Sequence, residues 1–375
     1  MGKLEQFLND HLKGAAEVFS RDGYVTFTRV HRSTEPKHGN HFMMINVAAQ
    51  GSGVHLEFET SATEITLELA FEKVLYPGQP DETVPLVLEV DGNQTSYEFS
   101  NVRFIDVTGQ PRTDTLDFQS HTFNLGLNEK SKLVKIWLPH HAMTNFKSIE
   151  LNGPANNVTS TKPKWVHYGS SISHCSEAEL PTGVWPVIAA DALGLELSNL
   201  GLGGNAMLEP FMTDVILSHN PDVVSLKVGI NSINMASHNT RTFVPAVFGL
   251  VESLAAKKPG LKILLMSPIF CPPHEEGYGP TIFDLVELKA TANPNPAPEM
   301  FPSHLNLIRV RAALESTAVE MAKQGINVRY LSGLELVGPE DAHWLEDDLH
   351  PNSEGYAAMG ERFAANPIVN EWLAR

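Results

Sequence analysis

Cysteine is scarce. Only Cys175 and Cys271 occur among 375 residues, too few for a disulfide framework. Basic charge is also in deficit, with 27 Lys and Arg against 44 Asp and Glu and a formal net charge of −17. That excludes the basic footprint a nucleic-acid binder needs and argues against adhesion to an anionic membrane. Long hydrophobic runs are missing: nothing approaches the ~20 apolar residues of a membrane span. The first residues, MGKLEQFLNDHLKG, carry charges where a secretory signal has an apolar run. The sequence therefore reads as soluble and cytoplasmic, and the sequons at Asn93 and Asn157 count for little. A G-x-G-x-x-G fingerprint is missing too, so no dinucleotide is expected. Neither a cofactor nor a metal is expected. Hydrophobic residues, by contrast, make up 42% of the chain, enough for a sizeable core and against wholesale disorder.

The pattern of those residues changes near residue 160, and the length suits two domains. Residues 1–20 read as a short helix or arm. From Tyr24 to Glu150 apolar and polar residues alternate in short runs: Tyr24–Val30, His41–Val47, Val54–Thr60, Glu64–Leu69, Pro85–Val90, Ser96–Val107, Thr122–Leu127, Leu133–Leu138 and Phe146–Leu151. Period-two runs between turn residues predict half-buried antiparallel strands. Residues 1–160 are thus expected to form an all-β jelly roll or sandwich. Residues 161–375 alternate short apolar strands with helices: strands at 165–168, 195–202, 222–228, 262–270 and 327–331, helices at 181–193, 207–219, 241–257, 303–324 and 353–373. That order implies an α/β domain with a parallel sheet covered on both faces, whose site lies at the carboxyl ends of the strands. The segment Cys271–Met300, with six prolines, leaves such an end and reads either as a substrate-contacting loop or as a solvated insertion.

Four strand ends or later loops carry chemistry. Gly169-Ser170-Ser171 places a Ser just past a strand, where backbone N–H groups face a developing oxyanion. Gly203-Gly204-Asn205 permits close backbone approach. Gly229-Ile230-Asn231-Ser232 offers a side-chain amide donor. Asp347-Asp348-Leu349-His350 pairs a base with a carboxylate at a spacing one turn can span. Each piece alone fits an ordinary turn or cap; their order, after successive strands of one sheet, is more specific.

These blocks resemble the SGNH, or GDSL-like, hydrolase superfamily over residues 160–375. The family's G-D-S-x-[ST], oxyanion Gly, G-x-N-D and D-x-x-H stand here at Gly169–Ser173, Gly204, Gly229–Ser232 and Asp347–His350. Ser170 and Ser232 replace two family Asp residues, and Tyr168-Gly-Ser-Ser-Ile172 is similar to a Y-G-[ST]-S-I subgroup. The β-domain ahead of these blocks resembles two-domain members, namely carbohydrate esterases with a jelly roll and, more closely, the polyketide-tailoring acyltransferases called SsfX3-like. The resemblance implies a flavodoxin-like doubly wound sheet. It implies a serine esterase with Ser171 as nucleophile, His350 as base and Asp347, rather than Asp348, as its carboxylate. The Ser171 and Gly204 N–H groups and the Asn231 amide would form an oxyanion hole. The substrate would be a small ester, and the enzyme would remove a short acyl group, such as acetyl, from a sugar or another small alcohol by way of an acyl-enzyme. An acyltransferase using the same site and a non-catalytic carbohydrate-binding protein are the alternatives.

Other residues read more plainly. His140 and His141 are expected to point to opposite sides, against a metal site. His167 reads as a hydrogen-bonded core residue, Cys175 as a bystander and Trp185 as packing.

Overall fold

The computed structural model describes residues 2–75, 81–126, 130–284, 286–293 and 303–374. The chain divides into two compact units, one of Met1–Thr161 with Glu179–Thr182, the other of Lys162–Ala178 with Gly183–Arg375.

The first unit contains α1 (Lys3–His11), β1 (Leu12–Lys13), β2 (Glu17–Arg21), β3 (Tyr24–Thr28), α2 (Phe42–Ala49), β4 (His55–Thr60), β5 (Glu64–Val74), β6 (Val84–Val90), β7 (Asn93–Phe99), β8 (Val102–Ile105), β9 (Gln119–Asn124), β10 (Lys132–Trp137) and β11 (Met143–Leu151). One sheet runs β1-β4-β10-β6-β7 and the other β2-β3-β11-β5-β8, with β9 also on β5. Alternation does the work: in β4, Leu56, Phe58 and Thr60 are buried while His55, Glu57 and Glu59 are not. The inward residues of both sheets share one apolar core that includes Phe27, Phe58, Phe71 and Phe146.

Three expectations in this unit need correction. His41–Val47 is not a strand: Phe42–Ala49 is α-helical, with Met44, Val47 and Ala48 buried. Those three recur at helical spacing, and Met and Ala are good helix formers. Ser96–Val107 is not one strand, because β7 and β8 lie in different sheets. Asn101 marks the crossing, donating from Nδ2 to Leu69 O (2.8 Å) and Asp117 O (2.9 Å). His140 and His141 sit in a turn rather than on a strand, so their rings do not diverge. His141 Nδ1 lies 3.2 Å from His140 Nε2. The end of the run read at Thr122–Leu127 falls on Leu127, outside the described residues.

The second unit contains β12 (Lys164–Gly169), α3 (Ser171–His174), α4 (Trp185–Leu193), β13 (Glu196–Gly201), α5 (Met212–Ser218), β14 (Val223–Lys227), α6 (Ile230–Asn234), α7 (Thr240–Lys257), β15 (Lys262–Met266), β16 (Ile282–Asp284), β17 (Lys289–Thr291), α8 (Leu307–Lys323), β18 (Val328–Leu331), α9 (Ser353–Ala365) and α10 (Pro367–Leu373). Its main sheet is parallel in the order β13-β12-β14-β15-β18, the flavodoxin-like order. All five residues of β14 are buried, as a strand covered on both faces requires.

Helix boundaries are tighter than the sequence pattern suggests. The helix expected at 207–219 is only Met212–Ser218. Leu208 turns left-handed at φ 60°, and the Glu209 carboxylate accepts from Met207 N at 3.3 Å. The helix expected over 353–373 breaks at Asn366, before Pro367, and Asn366 Oδ1 caps α10 by accepting from Ile368 N at 2.9 Å. The helix expected over 181–193 opens with a 3₁₀ turn, Pro181–Gly183, before α4.

Candidate functional site

The carboxyl ends of the three adjacent strands are in register: Gly169 pairs with Gly201 on one side and with Lys227 on the other. Ser171 follows β12, Gly204 follows β13 and Asn231 follows β14, so all three stand along one edge of the sheet.

Ser171 is the first residue of α3, and Ser170 is its extended N-cap. Its N–H therefore has no acceptor within the helix. The short helix is pinned from beneath. Asn199 Nδ2 donates to Ser173 O at 2.8 Å, and His174 Nδ1 meets Gly201 O at 3.0 Å. Gly201 allows that approach, because a Cβ there would stand 2.4 Å from His174 N and from Ser173 C. Below, His167 bridges Ser173 Oγ (2.7 Å) and Ser225 Oγ (2.6 Å). Burial holds its pKa well down, so it is a neutral strut.

The next loop turns back at once: Leu202 N donates to Gly169 O at 2.7 Å. Gly204 takes φ +69°, a left-handed conformation that favours glycine. Asn231 is 1% exposed, and its Oδ1 accepts from Ala206 N at 3.0 Å. That bond ties the two loops together and fixes the amide with Nδ2 as its remaining donor. Tyr168 and Glu209 brace the same region, with Tyr168 Oη 3.3 Å from Glu209 Oε2.

His350 closes the arrangement. Its Nε2 lies 2.8 Å from Ser171 Oγ, and its Nδ1 lies 2.7 Å from Asp347 Oδ2. Asp347 Oδ1 accepts from the backbone N–H groups of Leu349 (2.9 Å) and His350 (2.6 Å). The carboxylate thus shapes its own loop as well as orienting the ring. Asn352 then caps α9 through Gly355 N at 3.0 Å, anchoring the loop's far end. Asp348 instead pairs with Lys289 at 2.9 Å. Burial lowers the His350 pKa, but Glu177 and Asp347 more than offset this and hold it at about 9. Burial raises Asp347, yet the hydrogen bonds and charge of His350 bring it below its ordinary value.

The structure brings Ser171, His350 and Asp347 into one hydrogen-bonded chain and sets Gly204 and Asn231 on the neighbouring loops. Of the family positions that differ here, Ser170 keeps a buried Oγ without a partner among the described residues; Ser232 Oγ lies 3.3 Å from His238 Nδ1. Cys175 is buried and its thiol is pushed well up by burial. Trp185 is fully buried and donates to Ile172 O at 2.9 Å. Two groups escaped the sequence reading. Glu177 Oε1 lies 3.9 Å from His350 Nδ1. The segment after Cys271 forms the β16–β17 hairpin, and Ala290 N donates to Asp347 O at 2.9 Å, so it supports the Asp347 loop directly. The remainder of that segment, residues 294–300, lies outside the described residues.

Residues 167–358 match the model of the GDSL-like lipase/acylhydrolase family. The chain belongs to that family. No curated protein matches it. Among solved structures, the salicylyl-acyltransferase SsfX3 from a tetracycline biosynthetic pathway is similar over 95% of each chain, at 24% identity and a TM-score of 0.77. A family two carbohydrate esterase from Cellvibrio japonicus is similar over 97% of each chain, at 15% identity and TM-score 0.59. Another from Clostridium thermocellum, in complex with cellohexaose, is similar over 87% of this chain and 95% of its own, at 16% and 0.55. At these identities the likeness is one of fold. It extends through both units of this GDSL-like chain. Among the described residues no helix is long and apolar enough to cross a membrane.

Proposed function

We propose that the chain is a serine carboxylic-ester hydrolase that removes a short acyl group, such as acetyl, from a sugar or another small alcohol. The observation that carries this is the chain Ser171 Oγ, His350 Nε2, His350 Nδ1, Asp347 Oδ2, with links of 2.8 and 2.7 Å. In the proposed mechanism Ser171 Oγ attacks the ester carbonyl as His350 takes its proton. Asp347 keeps the ring in the right tautomer and stabilises the imidazolium. The Ser171 and Gly204 N–H groups and Asn231 Nδ2 receive the oxyanion. His350 then protonates the leaving alcohol, and water resolves the acyl-enzyme by the reverse route. A sugar as the alcohol is suggested by the carbohydrate esterases of similar fold.

A panel of p-nitrophenyl esters graded by chain length, run beside acetylated sugars, tests the substrate. The reading expects the highest kcat/KM at acetyl and release of acetate from sugars; a preference for long acyl chains would overturn it. A second reading is supported by the fold shared with the salicylyl-acyltransferase: an acceptor alcohol rather than water resolves the same acyl-enzyme. Raising acceptor concentration would then divert product from free acid to new ester, whereas a constant yield of acid excludes transfer.

A further inference from the structure

Glu177 belongs to none of the sequence blocks, yet it is built into the site. It lies three residues past α3, and its Oε1 is 3.9 Å from His350 Nδ1, the same ring nitrogen that Asp347 Oδ2 meets at 2.7 Å. Its other oxygen accepts from Tyr356 Oη at 2.7 Å. Tyr356 is fully buried on α9, the helix that follows His350. The Glu177 carbonyl accepts from Ser353 Oγ, at the start of the same helix, at 3.2 Å. These bonds link the segment that carries Ser171 to the helix that anchors His350. Glu177 is itself exposed, with 39% of its side chain accessible, so it is these bonds rather than burial that hold its carboxylate in place.

We propose that Glu177 is a second positioning carboxylate: with Asp347 it brackets the Nδ1 edge of His350 and steadies the imidazolium formed when Ser171 gives up its proton. The proposal rests on the hydrolase reading above. In that step the Oγ–H bond breaks and its proton passes to Nε2. Oγ bonds to the carbonyl carbon, and the C=O π pair moves onto the oxygen. The ring goes from neutral to cationic, and an anionic group within ~4–6 Å favours the cation.

Among the described residues, the groups around His350 leave these two carboxyls as its net acidic partners. Asp348, in the same loop, is paired with Lys289 of the β16–β17 hairpin. Cys271, after β15, is pushed up to about 12 by burial and stays a thiol. Tyr356, on α9, is pushed well up by burial and stays a phenol. Both carboxyls raise the pH at which His350 becomes a neutral base, so kcat/KM rises as pH climbs through about 9. Removing the Glu177 charge moves that limb down.

The test is kcat/KM for p-nitrophenyl acetate from about pH 6 to about pH 10 in wild type, E177Q, Y356F and S171A. E177Q is expected to move the limb down by about one pH unit. Y356F removes only the hydroxyl that holds Oε2; it moves the limb the same way by less, and serves as the readout if E177Q does not fold. A purely structural role would scale the whole profile without moving its limb, and that result overturns the proposal, as do limbs that superimpose on wild type. If S171A is inactive while the limbs superimpose, only this proposal falls. If S171A keeps full activity, the hydrolase reading falls with it.

Discussion

The residues that carry the proposed chemistry were legible where one short block holds both partners. Asp347 and His350 are three residues apart, and a single turn can join them. Ser171 was legible as a Ser just past a Gly at a strand-to-helix turn. Glu177 and Tyr356 were not, since 179 residues separate them and only the tertiary fold brings them together. Asn231 illustrates a residue-scale consequence. Its Oδ1 is held by Ala206 N, so Asn231→Ala removes the proposed amide donor. It is expected to lower kcat by about 10²–10³-fold; a loss under tenfold in steady-state assays would take Asn231 out of the oxyanion role. Lys227 is a second case, invisible in sequence because a Lys ending a strand usually reaches water. Here it is 2% exposed and its Nζ has no protein partner among the described residues, and burial lowers its pKa to about 7. Below that pH the folded chain holds an unpaired buried ammonium, which is costly. Lys227→Met is therefore expected to stabilise the protein by at least about 1 kcal/mol in urea unfolding at pH 6. The gain should shrink as pH rises towards the ordinary lysine value, because the folded-state amine is then neutral. Equal effects at pH 6 and pH 9 would contradict this.

Among elements, the parallel strands were easy to read because burial on both faces demands continuous apolar runs, as in β14. Phe42–Ala49 was misread because a short apolar run fits either period, and only its packing, with Met44, Val47 and Ala48 on the buried side, decides for a helix. Capping residues such as Asn352 and Asn366 set ends that periodicity alone cannot locate. The β16–β17 hairpin was hidden in a proline-rich segment with no strong period, yet it holds the Asp347 loop through a backbone hydrogen bond. The contact between α3 and the end of β13 rests on the absence of a side chain at Gly201. Gly201→Ala would drive a Cβ to within 2.4–2.5 Å of Ser173 and His174 backbone atoms, where no side chain can yield. A loss of about 1–3 kcal/mol in urea unfolding is expected, with a larger fractional fall in activity because Ser171 shares that helix. Wild-type stability in this variant would refute the account of how α3 is seated.

On the scale of the whole molecule, the sequence showed two grammars, and the structure shows two compact units with unlike sheets, one largely antiparallel and one parallel. What composition could not supply is the assignment of charges to partners. Lys289 with Asp348 and Arg311 with Glu275 are pairs of the folded chain. The net charge of −17 remains a property of the whole and sets up a repulsive field for anions, screened over ~10 Å at 0.1 M salt. An anionic acetyl ester should thus gain kcat/KM as salt is raised, while a neutral ester of similar size stays flat; parallel responses would show that the global field plays no part. The central claim is that Ser171 is a nucleophile activated by His350, and covalent labelling tests it most directly. Wild-type protein treated with a fluorophosphonate probe should gain one adduct by intact mass, mapped to Ser171, and lose esterase activity in proportion, whereas S171A should take up no label. A wild type that stays unlabelled, or an S171A variant that labels and hydrolyses like wild type, would contradict the account.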